Sequence, residues 1–204
     1  VEDIYRPYKP KRRTRAMIAR EKGVEPLANA IFAQRRGDEP LALAQAYVSD
    51  EKGVPDAQTA VQLAQDILAE QFSDDASIRA KLREFYRRTG MLRSVAAKEG
   101  ENVYAQYADY REPVLRAAGH RILAVNRGER EGFLKVTLET DREQALICVR
   151  RCVLVPGGGA AAFLRAACED AYDRLIAPSM ERELRAALTE RANEGAIRNF
   201  ALNL

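Results

Sequence analysis

Apolar residues recur every three or four positions through most of the chain, and this spacing constrains the fold more than any other feature. It is clearest in the stretch SDDASIRAKLREFYRRTG, where Ser73 or Asp74 is predicted to cap a helix and Gly90 to end it. On one face of that helix the spacing places Ile78, Leu82, Phe85 and Tyr86. The opposite face is predicted to be basic and exposed, and it carries Arg79, Lys81, Arg83, Arg87 and Arg88. Each such helix must bury its apolar stripe against a neighbour.

The same pattern, with recognisable helix ends, occurs earlier in the chain. TRAMIAREKG predicts a helix that is capped by Thr14 and ended by Gly23. EPLANAIFAQRRG carries Pro26 in its first turn and stops at Gly37, and EPLALAQAYV predicts a brief helix after it. PDAQTAVQLAQDILAEQF predicts a longer helix that Asp56 can cap.

Later in the chain, one stretch shows a different period. The alternation in FLKVTLE predicts a strand with one face buried. Residues 121–126 are either its hairpin partner or a helix that leads into it. No other stretch gives a persuasive β signal, so the predicted fold is mainly α and multihelical, with a small β element around 121–139.

The last third of the chain is predicted to be helical again. TDRE has the spacing of a capping box and favours a helix over 142–155, although the Val and Ile content leaves a strand open. The glycines of PGGG predict a flexible break. Two long helices are expected to follow, from Ala160 to about Ala177 and from Pro178 to the end.

Charge is distributed in blocks, although the net charge is only +3. Residues 1–37 carry a net charge of +6, residues 38–75 carry −8, and residues 76–98 carry +6 again. The two basic blocks either pair with the acidic block in the fold or leave a basic face for a polyanion.

Residues that would support catalysis are scarce, so no catalytic residue, metal site or cofactor is predicted. PGGG lacks the Lys-Ser/Thr that follows in a P-loop, and His120 is the only histidine. Cys148, Cys152 and Cys168 are expected to be free, buried or half-buried thiols of a reducing cytoplasm.

The ends of the sequence indicate a piece of a longer protein. The first residue is Val1 instead of an initiating Met, and the apolar residues keep helical spacing up to the last residue. No apolar run approaches the ~20 residues that a membrane span needs, so we expect no membrane contact.

Basic residues concentrate in YRPYKPKRRTR, in which six of the eleven residues are Lys or Arg. They could hold phosphates without base specificity, while the tyrosines stack on bases. Alternatively, the prolines and tyrosines pin an extended arm onto neighbouring domains. The candidate phosphate contacts are Lys9, Lys11, Arg12, Arg13 and Arg15, together with Arg83, Arg87 and Arg88 of the later basic helix, and the candidate stacking residues are Tyr5 and Tyr8.

Three long stretches closely resemble the Tex family of bacterial transcription accessory proteins, in the same order along the chain. They are EDIYRPYKPKRRTRAMIAREKGVEPLANAI (2–31), HRILAVNRGEREGFLKV (120–136) and AYDRLIAPSMERELRAALTERANEGAIRNFALNL (171–204). The resemblance therefore spans essentially the whole chain.

The resemblance implies a cytoplasmic, multi-domain protein of which this chain is the helical region. The ribonuclease-H-like, helix-hairpin-helix and OB-fold RNA-binding domains of the family would lie outside it. Residues 1–98 would form a helix-turn-helix-like part, and residues 99–204 a helical part with the small β element and a long C-terminal helix. One continuous domain is the alternative.

Two functions follow as hypotheses, and an enzyme is the weakest interpretation. In the first, the chain is a scaffold that contacts RNA or DNA backbones weakly and without sequence specificity. In the second, it docks the remaining domains of the full-length protein, or the transcription machinery, and touches no nucleic acid.

Overall fold

The computed structural model describes residues 13–98, 100 and 103–202, without the side chains of residues 199, 200 and 202. The described chain is mainly α-helical with one small antiparallel sheet, which confirms the predicted fold class. The α-helices are α1 Arg15–Glu21, α2 Glu25–Phe32, α3 Pro40–Ala44, α4 Ala57–Asp74, α5 Ala76–Thr89, α6 Gly119–Arg130, α7 Arg142–Val153, α8 Ala161–Asp170 and α9 Ala177–Leu202. The strands are β1 Met91–Ala96, β2 Asp109–Pro113 and β3 Leu134–Glu139. The shorter helices are the 3-10 turns Gln45–Tyr47, Asp50–Lys52, Ala105–Tyr107 and Val114–Arg116, and the π-helical segment Ala171–Ile176.

The chain forms two compact units, each built from two separate stretches of sequence. Unit 1 takes the described residues of Val1–Lys81 together with Leu146–Ala177, and unit 2 takes those of Leu82–Ala145 together with Pro178–Leu204. The domain boundary near residue 98 stays a prediction.

Two of the predicted helix starts are confirmed by their capping hydrogen bonds. The Thr14 hydroxyl accepts from the backbone N–H of Met17 at 3.1 Å. The Asp56 carboxylate accepts from the backbone N–H of Thr59 at 2.6 Å. Such caps satisfy N–H groups that the first turn of a helix leaves unpaired, so they fix where α1 and α4 begin.

The predicted caps of α5 are wrong by one or two positions. Helix α4 continues through Ser73 and Asp74, and Ser73 is buried within it. Asp75 has extended backbone and accepts from the N–H of Ile78 at 2.8 Å, so it is the cap. Because α4 runs through both predicted caps, the role falls to Asp75, the residue that follows them.

Helix α4 is the centre of unit 1, because α1, α2, α3, α8 and the π-helical segment all pack against it. Its apolar stripe includes the fully buried Ala64 and Leu68, as the periodicity predicts. The ring of Phe72 lies 5.7 Å from that of Phe32 between centroids.

A π-helical segment replaces the predicted boundary between two helices near Ala177. The backbone N–H of Ala177 donates to the carbonyl of Tyr172, five residues back. Pro178 follows immediately and has no N–H to donate. A wide turn at this point gives the proline ring room beside the preceding turn, so the helix continues where a break was expected.

The sheet of unit 2 has the order β2-β1-β3, with both neighbouring pairs antiparallel. In the central strand, Leu92 pairs with Glu112 of β2 and with Leu138 of β3. The predicted strand in FLKVTLE is β3, and its alternate residues are buried as expected. Residues 121–126, left open between strand and helix, lie within helix α6, and 142–153 are helical.

Strands β1 and β2 were not predicted, because no stretch outside the region of β3 gives a persuasive β signal in the sequence. In β1 one of the two fully inward residues is Ser94, whose hydroxyl donates to the carbonyl of Tyr107 at 2.8 Å. A buried serine removes one of the apolar positions from which alternation is recognised.

Among the described residues no strand pairs with the outer side of β3, and charged side chains from helices bind its backbone there. The Val136 N–H donates to the Glu129 carboxylate at 3.1 Å, and the Leu138 N–H donates to Glu181 at 3.0 Å. The Arg185 guanidinium donates to the Val136 carbonyl at 3.0 Å and also pairs with Glu129. These contacts occupy the groups through which an exposed edge would recruit another strand.

We expect Arg185→Gln to lower the free energy of unfolding by about 2 kcal/mol, because it removes hydrogen bonds between charged groups at this edge. Arg182→Gln on the same helix is the matched control, since Arg182 is exposed, and it should stay within about 0.5 kcal/mol. Urea unfolding followed by circular dichroism measures both. Equal effects of the two substitutions would contradict the role of Arg185.

The same edge predicts a loss of stability in acid. Burial raises the pKa of Glu129, but the hydrogen bonds from Arg185 and from the Val136 N–H, together with the Arg185 charge, lower it overall. A lowered pKa means that this stabilisation is present above the ordinary value of about 4.3 and is lost as the pH falls through the lowered one. In Glu129→Gln, unfolding curves measured between about pH 3 and 5 should lose that part of the pH dependence.

Thiol accessibility gives an independent check of the packing in unit 1. Burial raises the pKa of Cys168 to about 12, against the opposing charge of Arg150. Cys168 is therefore almost entirely in the unreactive thiol form at pH 8, while Cys148 and Cys152 are half-buried. We expect iodoacetamide to label Cys168 only after unfolding, as read by mass spectrometry. Labelling of Cys168 in the folded chain at its unfolded rate would contradict this packing.

Candidate nucleic-acid interface

The basic run that opens the chain lies almost entirely outside the described residues. Lys9, Lys11 and Arg12, predicted to contact phosphates, and Tyr5 and Tyr8, predicted to stack on bases, are all in this part. Their roles stay predictions.

Two predicted contacts, Arg13 and Arg15, are described and lie at the start of unit 1. Arg13 pairs with Glu21 at 2.7 Å, and both side chains are more than half exposed. Arg15 is exposed and stands on the cleft that contains Asp66. Neither residue is withdrawn from solvent by the fold.

The three predicted contacts on α5 have different surroundings. Arg83 donates to Glu183 at 2.6 Å, and both side chains are about two-thirds buried or more. Arg87 makes two hydrogen bonds with Glu84, at 2.7 and 2.8 Å, and is 54% exposed. Arg88 is exposed, and no ion pair joins it to another described residue. Arg87 and Arg88 are therefore the accessible members of this group.

Arg79 is not on the exposed basic face to which the sequence pattern assigns it. Its side chain is fully buried, and Nη1 lies 3.5 Å from the carbonyl of Ser73. Arg79 is adjacent to Ile78 and three residues before Leu82, both buried, so it falls at the margin of the apolar stripe. The exposed basic face is correspondingly smaller than predicted.

The acidic block pairs in part with the first basic block, which is one of the two arrangements that the charge pattern allows. Arg20 donates to Glu70 at 2.9 Å. Arg174, from later in the chain, lies 3.5 Å from Asp66 and 2.6 Å from Asp170. Burial raises the pKa of Asp66, and the charges of Arg174 and Arg15 oppose that rise.

A cleft of about 320 Å³ in unit 1 joins these charges. Both acidic and basic side chains line it, which leaves little net positive field for a phosphate. Its lining includes Arg15, Asp66, Glu70, Asp74 and Arg174. The cleft therefore belongs to the internal ion pairing of unit 1.

A second cavity, of about 420 Å³, has a very different lining and was missed by the sequence analysis. Arg150, Arg151 and Arg165 all line it, together with glycines of the PGGG loop. The available signal was the position of these arginines, two in the last turn of the helix before the loop and one in the second turn of the helix after it. That signal is weak, because arginines at such positions are usually solvated.

No metal centre emerges from the part of the chain that the structure describes, where no three His, Cys, Asp or Glu residues are grouped to hold an ion. His120 is exposed at the start of α6. Among the same residues, no helix combines the length and apolar content needed to cross a bilayer.

A family model described as Tex central region-like matches residues 35–200. The chain is 41% identical to Protein tex of Bordetella pertussis and 40% identical to YdcI of Bacillus subtilis. It is 37% identical to the Transcriptional accessory protein Tex of Neisseria gonorrhoeae. Each comparison covers 100% of this chain but only 28% or 29% of the relative, so the chain spans under a third of their length.

The ion pairs of the first cleft predict that removal of Arg174 destabilises the chain more at neutral pH than in acid. In Arg174→Gln, Asp66 stays buried without its main counter-charge, so we expect a loss of about 2 kcal/mol near pH 7. A carboxyl whose folded pKa is raised takes up a proton more readily when folded, so the loss should shrink as the pH falls towards about 4. Urea unfolding at several pH values tests this. The double variant Asp66→Asn/Arg174→Gln should lack the effect, and an identical loss at pH 5 and pH 8 would contradict it.

Proposed function

The chain belongs to the Tex family, and from that premise we propose that it is a helical scaffold region that makes weak, non-sequence-specific contacts with RNA or DNA backbones. The relatives that carry Tex names, one of them as a transcriptional accessory protein, support a role in transcription. The remaining domains of a full-length Tex protein and the transcription machinery are the proposed protein partners. We place the protein in the cytoplasm and assign it no catalytic role and no cofactor.

The observation that carries the nucleic-acid contact is the exposure of basic side chains whose ion pairs are exchangeable. Arg13 is 67% exposed and Arg87 is 54% exposed. An ion pair in such a position contributes only about 0–1 kcal/mol, so a phosphate can replace the carboxylate at little cost. The guanidinium fork then binds two phosphate oxygens at once.

The proposed set of phosphate contacts also includes two further exposed cations, Arg15 and Arg88. It is completed by three residues of the opening basic run, Lys9, Lys11 and Arg12. Tyr5 and Tyr8 are retained in the proposal as stacking residues. We give Arg83 the smallest contribution, because its pair with Glu183 is shielded on both sides and is harder to exchange.

A second function, a docking platform without nucleic-acid contact, is favoured by a different observation. Three of the proposed cations, Arg13, Arg83 and Arg87, already have carboxylate partners within the chain. At the same time Ile197 on α9 is 69% exposed. On this hypothesis the chain is covered by other domains of the full-length protein or by the transcription machinery.

Salt dependence separates the two functions. We expect the 204-residue chain to bind a fluorescent single-stranded RNA with an affinity that falls steeply between about 25 and 200 mM salt. The double variant Arg13→Gln/Arg15→Gln should reduce the slope of log affinity against log salt by about 0.7 for each lost contact. Fluorescence anisotropy measures both quantities.

The matched control is Arg111→Gln/Arg142→Gln, which removes two exposed arginines outside the proposed set. Its slope should stay closer to that of the unchanged chain. An equal reduction in both double variants would contradict the assigned residues. Absence of binding at about 25 mM salt would contradict nucleic-acid contact altogether and favour the docking platform.

A further inference from the structure

The PGGG loop between α7 and α8 is held in place by a residue far away in sequence. The side-chain amide of Gln34 donates to the Val153 carbonyl at 2.8 Å and accepts from the Val155 N–H at 2.9 Å. The Gln34 carbonyl also accepts from the Gly159 N–H at 3.1 Å. Gln34 is buried, and its hydrogen bonds reach residues at both ends of the loop. This one residue therefore fixes both ends of the loop.

Two of the glycines are required by this arrangement. A Cβ on Gly159 would lie 2.1 Å from the carbonyl oxygen of Arg35, so no larger residue fits there. Gly157 has φ +72°, and its N–H makes no hydrogen bond to another described residue. The sequence predicts a flexible break here, whereas the hydrogen bonds to Gln34 give the loop a defined backbone path.

The cavity beside this loop carries an excess of positive charge. Arg151 and Arg165 are exposed, and neither side chain makes an ion pair or a hydrogen bond with another described residue. Arg150 pairs with Glu169 at 2.5 Å, but its Nε atom is buried and has no hydrogen-bond partner among the described residues. No carboxylate is among the described residues that line the cavity. Like charges around one cavity repel unless an anion lies between them.

The rest of the cavity lining is apolar. Ile147 and Leu154 are half-buried, and Val155 is 56% exposed beside the glycines. The volume of about 420 Å³ lies within the range of small-molecule sites. An anion that also carries a flat apolar group satisfies both parts of this lining.

We propose that this cavity binds a nucleotide, with the phosphate held by Arg151 and Arg165 at the Gly157 N–H and the base packed against Val155 and Leu154. The site is separate from the residues of the proposed function and does not depend on them. Guanidinium groups bind phosphate through charge-assisted hydrogen bonds, and a free backbone N–H at a glycine turn adds a donor. A base supplies the flat face that an apolar wall favours.

Two ligands carry both a phosphate and a base: a nucleotide within a single strand, and a free mononucleotide. Titration of the ¹⁵N-labelled 204-residue chain with AMP should shift the backbone amide signals of Gly157 and Gly158. Adenosine and inorganic phosphate, each carrying half of the ligand, should bind at least about tenfold more weakly than AMP. No shift of these glycine signals with AMP or with a single-stranded oligonucleotide would overturn the proposal.

Two variants separate the phosphate contact from the base contact. Arg151→Gln/Arg165→Gln should weaken AMP binding by about tenfold or more. Val155→Ser should weaken AMP by about threefold and leave inorganic phosphate unchanged. The control Arg182→Gln/Arg198→Gln removes two exposed arginines elsewhere and should leave AMP binding unchanged. Equal weakening by this control would mean a non-specific charge effect and would overturn the proposal.

A strand and a free nucleotide are distinguished by comparing AMP with a six-residue oligonucleotide in the same assay. Tighter binding of the oligonucleotide, lost in Arg151→Gln/Arg165→Gln and kept in Arg13→Gln/Arg15→Gln, assigns the cavity to a strand. Tighter binding of AMP assigns it to a free nucleotide. Either result supports the site whether or not the basic run binds RNA, so the two proposals fail independently.

Discussion

The unit that contains the sheet depends on charged side chains that bind the outer edge of β3, where no described strand pairs with it. The outer edge of β3 is bound by Glu129, Glu181 and Arg185, which come from helices before and after it. A sheet of three short strands has little stability of its own and exposes pairing groups at its edge. Helical carboxylates and a guanidinium satisfy those groups without a further strand, so a small sheet can persist inside a mainly helical chain. These half-buried charges of α6 and α9 therefore stabilise the sheet.

Structural features that depend on residues a few positions apart could be predicted from the sequence. Thr14 and Asp56 were identified as caps because the capping oxygen and the N–H that it binds are three residues apart. Strand β3 was identified because its inward residues are all apolar. Strand β1 was missed because Ser94 is buried through a hydrogen bond to Tyr107, which no local pattern indicates. The fold class follows from short-range periodicity, and the sheet partners follow from contacts between distant residues.

The surroundings of the candidate site were predictable to a smaller extent. The exposure of Arg87 and Arg88 follows from helical periodicity, since they lie away from the apolar stripe of α5. The shielded pair of Arg83 with Glu183 spans 100 residues and could not be foreseen. The arginine cavity is defined by the contact of Gln34 with a loop about 120 residues later. Charge counted along the sequence therefore indicates how many cations there are, and tertiary contacts decide which of them remain available.

The assembly of unit 1 from two stretches has a consequence for synthesis on the ribosome. Helix α4 emerges early, but α8 and the π-helical segment that pack on it lie about 90 residues or more downstream. The nascent chain must carry the apolar stripe of α4 incompletely covered until residues 146–177 have been translated, and this interval is a time at which chaperones can act. Translation speed through the intervening segment then becomes a determinant of yield, and synonymous codons there can matter without changing the protein.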